Sequence, residues 1–578
     1  GGKGGIGVVR HAASVCRTLA LILEGSFGPY GRDKVIVGGT GTLTISNHGS
    51  TILDHITVLH PIGRLITNAA QKMETVYGDG TKTVVLVLHE TLQYLYRHLA
   101  MTRVDRVRVA KILTTIQASL VQNPSVGELF GPLVKSSDCG DRKAVVAVMQ
   151  QLVATALAPS VHPTISNKLK SVTTTLLDQM WRGEGRAGLQ EQLRIVQEAP
   201  PVVVAWGLGV SQSMACDGLL VDVEPQLFDN ENNRLLPLEG DAKCAVLTFD
   251  VDDDDDDDPN DDVPALEVSS AAAYKGAIQH GYDKDHAILS ALARAGISLV
   301  VSDQAVGRRL KRLLFTSRIA VLDNLRSKSI TVLTTHLPQQ SLHIPFVLAS
   351  WFRCSRVSRV NGGACRIIQF ETDDEYVCSA MLCAPSPSIA NQLLTHFHRG
   401  IRCLNSWAGN MRMKRRHGGL SPSPSLPSLF SSSSSSLGKE AKQDPSSPMH
   451  LPGSGAAEMR LARAFQKLAD DCSRTDRMMS LVYLALSKGF GSIPVSLQQN
   501  RACPPLRPSD EASRRKRLLR IRRQILLKGI TFNHSDTRVI HPVEVKLAIL
   551  AQVVGCLKAI MRIDGVHRSR SDKAQQEK

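Results

Sequence analysis

The sequence predicts an α/β protein of several domains, with an α/β domain inserted between two mostly helical regions. Three observations lead there. At 578 residues the chain is too long for one hydrophobic core and should divide into about two to four domains. From Asp217 to Phe370, short β-like runs alternate with helix-like segments. On either side the apolar spacing is mostly helical, ending in an apolar stretch from His541 to Ile563.

Taken in order, Val8 to Leu23 has helical spacing and stops at Gly25. Gly28-Pro29-Tyr30-Gly31 is a turn signal. Lys34–Val37 and Thr42–Ser46 follow as two short strands of a hairpin, and Asn47-His48-Gly49 makes the next turn. A third glycine turn opens the helix-like run Val84 to Leu99. In the middle region the expected strands are Leu219–Val223, Cys244–Phe249, Ser298–Val301 and Ile319–Leu322, the third following an amphipathic helix that stops at Gly296. Asp252 to Asp258 is an unbroken aspartate run, expected in a solvated loop. Ten of the sixteen residues from Ser421 to Ser436 are serine, a composition that cannot build a core and marks a flexible insert. A second weakly structured insert is expected from about Gln498 to Arg515. The last helix is expected to run from His541, with Pro542 in its first turn and Lys546, Gln552, Lys558 and Arg562 on a polar face.

Composition excludes several classes. No run of 18 apolar residues suggests a membrane span. The twelve cysteines include no C-x-x-C pair, which argues for reduced thiols over a disulfide frame or zinc site. Net charge is +16, yet it comes as separate runs, Lys414–Arg416 and Arg514–Arg523, opposed by the aspartates. Without a nucleic-acid motif or aromatic platform, aromatics being only 4%, nucleic-acid binding is not expected. The chain starts GGKGGIGVVR, without methionine or a signal-peptide pattern, and is expected to lack its natural N-terminus. Val8-Val9 stand where that glycine-rich start would need Lys-Ser/Thr, so it is no Walker motif. His396 and His398 lack a third ligand at metal spacing. Pro452 replaces the first glycine that a nucleophile elbow at Ser454 would need.

The stretch YGDGTKTVVLV, Tyr77 to Val87, poses the sharpest question. Its Lys82-Thr83 ending suggests a Walker A loop, but Val76 and Thr81 occupy the two glycine positions that motif requires. What remains is Gly78-Asp79-Gly80-Thr81 opening a helix, and free N–H groups behind small residues suit an anion. An aspartate beside phosphates makes sense when a metal ion bridges them.

Five segments resemble group II chaperonins in order and spacing. SFGPYGRDKVIV, TLTISNHGSTILDHITVLHPIGRLI and VYGDGTKTVVLVLHETL are similar to the three N-terminal nucleotide motifs, LPGSGAAEMRLARAF to the later glycine-rich loop, and HPVEVKLAILAQVVGCLKAIMRIDGV to the C-terminal helix. GLLVD and GISLVVSDQAV resemble apical strands. The resemblance implies a mostly helical equatorial domain (1–140 and 451–578, with an insert at about 498–540) and an intermediate domain (141–207 and 371–412). It also implies an inserted α/β apical domain (208–370, acidic loop 250–262), with 413–450 a disordered insert. It implies ATP and Mg²⁺ as cofactors. Gly28, Gly31, Gly49, Gly78, Gly80 and Gly453 would cradle the nucleotide, with Pro29, Asn47, Ser454 and Gly455 completing the set. Asp79 would hold the metal, and Thr81 and Thr83 would meet phosphate oxygens.

Departures from the pattern decide the chemistry expected. His48 stands where the family has a water-positioning aspartate, and Arg399 where it has the second. Arginine has donors only and cannot accept a proton from water. Lys82 replaces the second threonine of the phosphate loop, adding a charge that favours retained phosphate. Binding without efficient turnover is the expectation; the alternative is an active ATP-driven folding chaperonin. The degenerate positions, the Lys of G-D-G-x-K-T and the Ser-rich insert are most like the vertebrate Bardet–Biedl syndrome chaperonin-like proteins. That resemblance implies work with related chaperonin-like proteins and cytosolic chaperonin subunits, with the ciliary trafficking complex called the BBSome as client. It also implies a cytoplasmic, centrosomal and ciliary setting. A basic run such as Arg514–Arg523 would face itself around a symmetric ring, so a mixed assembly is expected.

Overall fold

The computed structural model describes residues 4–37, 43–99, 102–122, 129–130, 133–136, 141–157, 163–181, 185–223, 236–248, 271–344, 347–409, 448–453, 455–502 and 539–563. The expected aspartate loop, serine tract and two basic runs lie outside these residues, as do Thr42 and Phe249. The chain forms two compact units, Gly1–Asn167 with His398–Lys578, and Lys168–Phe397.

The element order begins α1 (Gly4–Glu24), β1 (Lys34–Val37), β2 (Leu43–Ser46), α2 (Gly49–Asp54), α3 (Pro61–Tyr77), α4 (Thr81–His98), α5 (Arg103–Gln122) and β3 (Lys135–Ser136). It continues with α6 (Arg142–Leu157), α7 (Pro163–Met180), α8 (Gly185–Glu198), β4 (Val202–Trp206), β5 (Met214–Asp217), β6 (Leu219–Val223) and β7 (Leu238–Thr248). Next come α9 (Ala271–Ala295), β8 (Leu299–Ser302), α10 (Arg308–Thr316), β9 (Ala320–Leu322), α11 (Ser327–His336), β10 (Gln340–Ile344) and β11 (Val347–Gly362). The order ends β12 (Cys365–Glu371), β13 (Cys378–Ala384), α12 (Pro387–Ala408), β14 (Met449–Pro452), α13 (Ala456–Cys472), α14 (Arg477–Ala502), β15 (Ile540–Pro542) and α15 (Val543–Arg562).

In the first unit, α3 shows how sequence sets both ends of a helix. The His60 ring accepts the Ile62 N–H at 3.2 Å, Pro61 fits the first turn, and Gly78 ends the helix at φ 70°. Ile62, Ile66, Ala70 and Met73 repeat at helical spacing and are all buried. Helix α4 is apolar all round, Val84 to Leu88 being buried without a break, so it runs through the middle of the core rather than along its edge. Around it pack residues of α1, α14 and α15 in one apolar cluster. α14 is long and apolar enough to cross a membrane by composition, but Val482, Tyr483, Leu486 and Phe490 are buried in that cluster. β1 and β2 form an antiparallel two-stranded hairpin, and β15, β14 and β3 a small antiparallel sheet.

The second unit is built on a seven-stranded sheet in the order β6-β12-β11-β7-β8-β9, with β10 paired to β11. β7, β8 and β9 are parallel and their neighbours antiparallel. Strand alternation sends Leu299 and Val301 into one apolar cluster, shared with Leu333 of α11, and Val300 into another, shared with Leu292 of α9 and Leu314 of α10. Both faces of β8 are therefore covered, which explains its unbroken apolar sequence. β4, β13 and β5 form a separate three-stranded sheet whose centre, β13, is buried throughout.

Five expectations need correction. The last helix starts at Val543, with Pro542 as its cap and His541 in β15. Lys546, expected on a polar face, is buried, and its ammonium meets the Glu458 carboxylate at 2.7 Å. α14 continues through Ala502, into the expected insert, and the strand Met449–Pro452 starts two residues before the expected end of the serine-rich insert. The second middle strand begins earlier, at Leu238.

The closest approach in the helical core is at Gly489 of α14, where a Cβ would lie 2.1 Å from Thr91 Oγ1 and 2.9 Å from the Val87 carbonyl oxygen. Gly489→Ala forces two central helices apart, and by the usual cost of overpacking it should destabilise the protein by about 1–3 kcal/mol. Chemical denaturation of the variant checks this; an unchanged midpoint would mean the helices can yield.

Candidate functional site

The chain from α3 to α4 turns on Gly78-Asp79-Gly80. Gly78 and Gly80 both hold left-handed backbone, φ 70° and 102°, which suits glycine. Gly80 caps α4 without a side-chain hydrogen bond, leaving first-turn N–H groups for another acceptor. Thr81 Oγ1 is buried with no hydrogen-bond partner among the described residues, and Thr83 is buried in the same turn. An uncapped 18-residue helix with an unsatisfied buried hydroxyl at its start favours an anion.

Lys82 is threaded through small residues. A Cβ on Gly49 would lie 2.8 Å from the Lys82 Cγ, so the Asn47-His48-Gly49 turn leaves room for the lysine stem. Its ammonium donates to the Ser26 carbonyl at 2.6 Å. A Cβ on Gly31 would sit 2.2 Å from that same oxygen, and Gly31 N–H donates to the Gly28 carbonyl at 2.9 Å. Burial first, and then the positive charge of Arg399, push the Lys82 ammonium down to about 7, against the pull of Asp79, Glu74 and Asp33.

Arg399 of α12 is buried and crosses the loop. Its Nε donates to the Gly78 carbonyl at 2.7 Å, Nη2 lies 3.6 Å from Asp79 Oδ1, and Nε lies 3.7 Å from Glu74 Oε1. The other Asp79 oxygen, Oδ2, faces His541 Nδ1 at 3.3 Å. Burial alone would raise the Asp79 carboxyl; the His541 hydrogen bond and the charges of His541, Arg399 and Lys546 outweigh it and hold Asp79 well below the usual carboxylate range. Glu74 is likewise lowered against its burial, by the His48 hydrogen bond and by Arg399. His48 is engaged at both ring nitrogens, Nε2 with Glu74 at 3.3 Å and Nδ1 with Thr51 Oγ1 at 3.3 Å.

The expected site residues are thus linked by a run of contacts. Gly28 and Gly31 reach Lys82 through Ser26; Gly49 lies against Lys82; His48 and Arg399 meet on Glu74; Arg399 joins Gly78 to Asp79. The later glycine loop joins through His541, whose ring a Cβ on Gly453 would approach to 3.1 Å. Asn47 is buried beside His48 in the turn, and Gly455, at φ 84°, caps α13. Pro29 is exposed in its turn, and Ser454 lies outside the described residues. Glu74, His541 and Arg402, whose Nη1 approaches the Glu74 carbonyl at 3.4 Å, were not expected. Only the HP dipeptide before the last helix hinted at any of them.

A model of the TCP-1/cpn60 chaperonin family matches residues 19–412, more than half of the chain. The chain belongs to this chaperonin family. Among curated relatives, the T-complex protein 1 subunit eta of Encephalitozoon cuniculi is 40% identical over 81 residues, 14% of this chain and 16% of that protein. The thermosome subunit beta of Aeropyrum pernix is 42% identical over 77 residues, 13% of this chain and 14% of that protein. The human T-complex protein 1 subunit eta is 40% identical over 80 residues, 14% and 15% of the two chains. The matched stretch therefore spans about a sixth or less of these relatives. The α/β multidomain chaperonin fold expected from the sequence is borne out.

Chaperonins generally bind ATP with Mg²⁺, and the two parts fit this site differently. Phosphate suits the uncapped turn of α4, the unpaired Thr81 hydroxyl and Lys82. Mg²⁺ at Asp79 does not fit: each carboxylate oxygen already faces a nitrogen donor, and a divalent ion there would stand beside the Arg399 guanidinium. At 4 Å and an effective dielectric near 20, one pair of like unit charges costs about 4 kcal/mol, and a doubly charged ion about twice that.

Phosphate binding should favour the Lys82 ammonium, raising its proton affinity in the complex. Affinity for ATP is therefore expected to be full below about pH 7 and to weaken as pH rises above it, by up to about tenfold per unit. Titration calorimetry across this range checks the slope, with Lys82→Met as the control that should remove the protein's share of it.

Proposed function

We propose that this chaperonin-family chain is a nucleotide-binding assembly factor that turns ATP over slowly or not at all. The observation behind the reading is Arg399: at the family's second hydrolytic position, it stands buried and engaged with Gly78, Asp79 and Glu74. It offers no lone pair to water. His48, at the first position, has both ring nitrogens occupied, so neither replacement supplies a free base. The nucleotide contacts assigned to this chain are those of the four glycine loops, with Lys82, Thr81 and Thr83 toward the phosphates. The domain division that accompanies the reading is equatorial 1–140 and 451–578, intermediate 141–207 and 371–412, and apical 208–370.

Within the family, the replaced aspartates, Lys82 and the Ser-rich stretch favour the vertebrate Bardet–Biedl syndrome chaperonin-like proteins, most of all the tenth of that set. Its task would then be assembly of the BBSome with related chaperonin-like proteins and cytosolic chaperonin subunits, in the cytoplasm and at the centrosome, basal body and cilium. The β1–β2 hairpin supports work in an assembly. Val35 pairs with Ile45 and Val37 with Leu43 across the strands, and all four side chains are exposed, by 64 to 69%. Such an apolar face suits a neighbouring chaperonin subunit. The second reading, an ATP-hydrolysing chaperonin subunit with general clients, is favoured by the names of its relatives, thermosome and T-complex protein 1 subunits.

Two measurements separate the readings. Saturating ATP, at about a hundred times its dissociation constant, should stabilise the chain by about 2.7 kcal/mol, while phosphate release stays about 10²–10⁴-fold below that of a hydrolysing chaperonin. Release at an ordinary chaperonin rate would establish the second reading. For the assembly role, the double variant Val35→Ser/Ile45→Ser should keep its melting temperature, since both positions are exposed, and lose co-purification with chaperonin subunits. Unchanged co-purification would remove the hairpin from the interface.

A further inference from the structure

Resting on the nucleotide reading above, we propose that this site takes the metal-free form of a nucleoside polyphosphate, with Arg399 and Lys82 supplying the counter-charge that a divalent ion supplies elsewhere in the family. The argument is geometric. A metal site needs a carboxylate with oxygens free to ligate, whereas Asp79 is held from both sides by Arg399 and His541. Arg399 cannot easily swing away to admit an ion, because its Nε is anchored on the Gly78 carbonyl at 2.7 Å and its guanidinium also faces Glu74. The backbone is equally committed, since a Cβ on Gly78 would lie only 2.6 Å from the Arg399 carbonyl oxygen.

The contacts of the charged groups point the same way. Glu74 and Asp79 share the single Arg399 guanidinium and each also faces a histidine ring, His48 and His541, while Glu458 pairs with Lys546. Lys82 donates to a neutral carbonyl, that of Ser26, while Asp79, Glu74 and Asp33 act on it only at longer range, so its ammonium can turn to an anion arriving at the first turn of α4, where Thr81 Oγ1 also lacks a partner among the described residues. A free polyphosphate brings more negative charge to these cations than its magnesium complex does. Arg399, held on the Gly78 carbonyl, contributes to that anion as a fixed positive charge beside the loop.

Calorimetric titration of the full chain with ATP, once in EDTA and once in excess Mg²⁺, tests this. ATP is expected to bind in EDTA at least as tightly as in Mg²⁺. Arg399→Gln removes the charge without adding a carboxylate beside Glu74 and Asp79, and should weaken binding in EDTA by about thirtyfold or more. Arg399→Asp restores the family residue and should make binding depend on Mg²⁺. Melting temperatures confirm that each variant is folded, and if Arg399→Asp is not, the parent and Arg399→Gln still decide. Binding by the parent in Mg²⁺ alone, or undiminished EDTA binding by folded Arg399→Gln, overturns this proposal and leaves the nucleotide reading standing. No binding in either buffer overturns both.

Discussion

The contact between Arg399 and the Gly78 carbonyl organises the candidate site. It joins a residue far along the chain to the turn between α3 and α4, at 2.7 Å, and it works only because position 78 lacks a side chain. The left-handed φ of 70° lets α3 stop and the loop reverse, while the missing Cβ leaves 2.6 Å that nothing larger could share with the Arg399 carbonyl. With the arginine fixed there, its guanidinium reaches both Glu74 and Asp79. Those two carboxylates in turn orient His48 and His541. One backbone constraint thus settles the pairing of the surrounding ionisable groups.

Such a network is expensive to bury and worth retaining only if its members are matched. Removing one partner of a buried pair typically costs about 3–5 kcal/mol, because the remaining charge has no water to turn to. The carboxyls of Glu74, Asp79 and Glu458 are each lowered against their own burial, the first by the His48 hydrogen bond, the second by the His541 hydrogen bond and the third by Lys546. Lys82 is the exception, its proton loosened by burial and by Arg399. An anion reaching Lys82 would also meet a helix start that presents uncapped N–H groups. Replacement of hydrolytic aspartates by His48 and Arg399 therefore does more than delete a base. On the proposed reading it would also change which form of nucleotide the site favours.

How much of this was legible in the sequence follows from the range of each interaction. Glycine turns, the helix beginning at Thr81 and the lysine beside it are local features, and spacing alone located them. Arg399 was found because its neighbours match a family motif, but its partners were not. Glu74 looks like any polar residue of an amphipathic helix, and His541 precedes an element whose start was placed two residues early. Lys546 was misread for a related reason. Periodicity assigns a lysine to the solvated face, and only the distant Glu458, 88 residues away in the chain, makes burial tolerable. In the second unit the same limit is plainer: apolar runs located β6, β7, β8 and β9, whereas β4, β5 and β10 to β13 were not expected, and the full length of β7 depends on pairing with β11.

The β1–β2 hairpin leaves one apolar face open to solvent. A two-stranded hairpin is marginal in water by itself, and here one face is half-buried while the other shows Val35, Val37, Leu43 and Ile45 to solvent. Burying that face against a neighbour would add hydrophobic stabilisation of about 25 cal/mol for each Å² removed from water, where the core of the first unit contributes none. The candidate nucleotide site lies a few residues away along the chain, at the turn Asn47-His48-Gly49 that ends β2 and leads to α2. An anion held beside Lys82 would lie next to this turn, since a Cβ on Gly49 would meet the Lys82 stem at 2.8 Å. Ligand binding and subunit contact would then draw on the same short segment, through rigidity of the connecting backbone rather than through turnover.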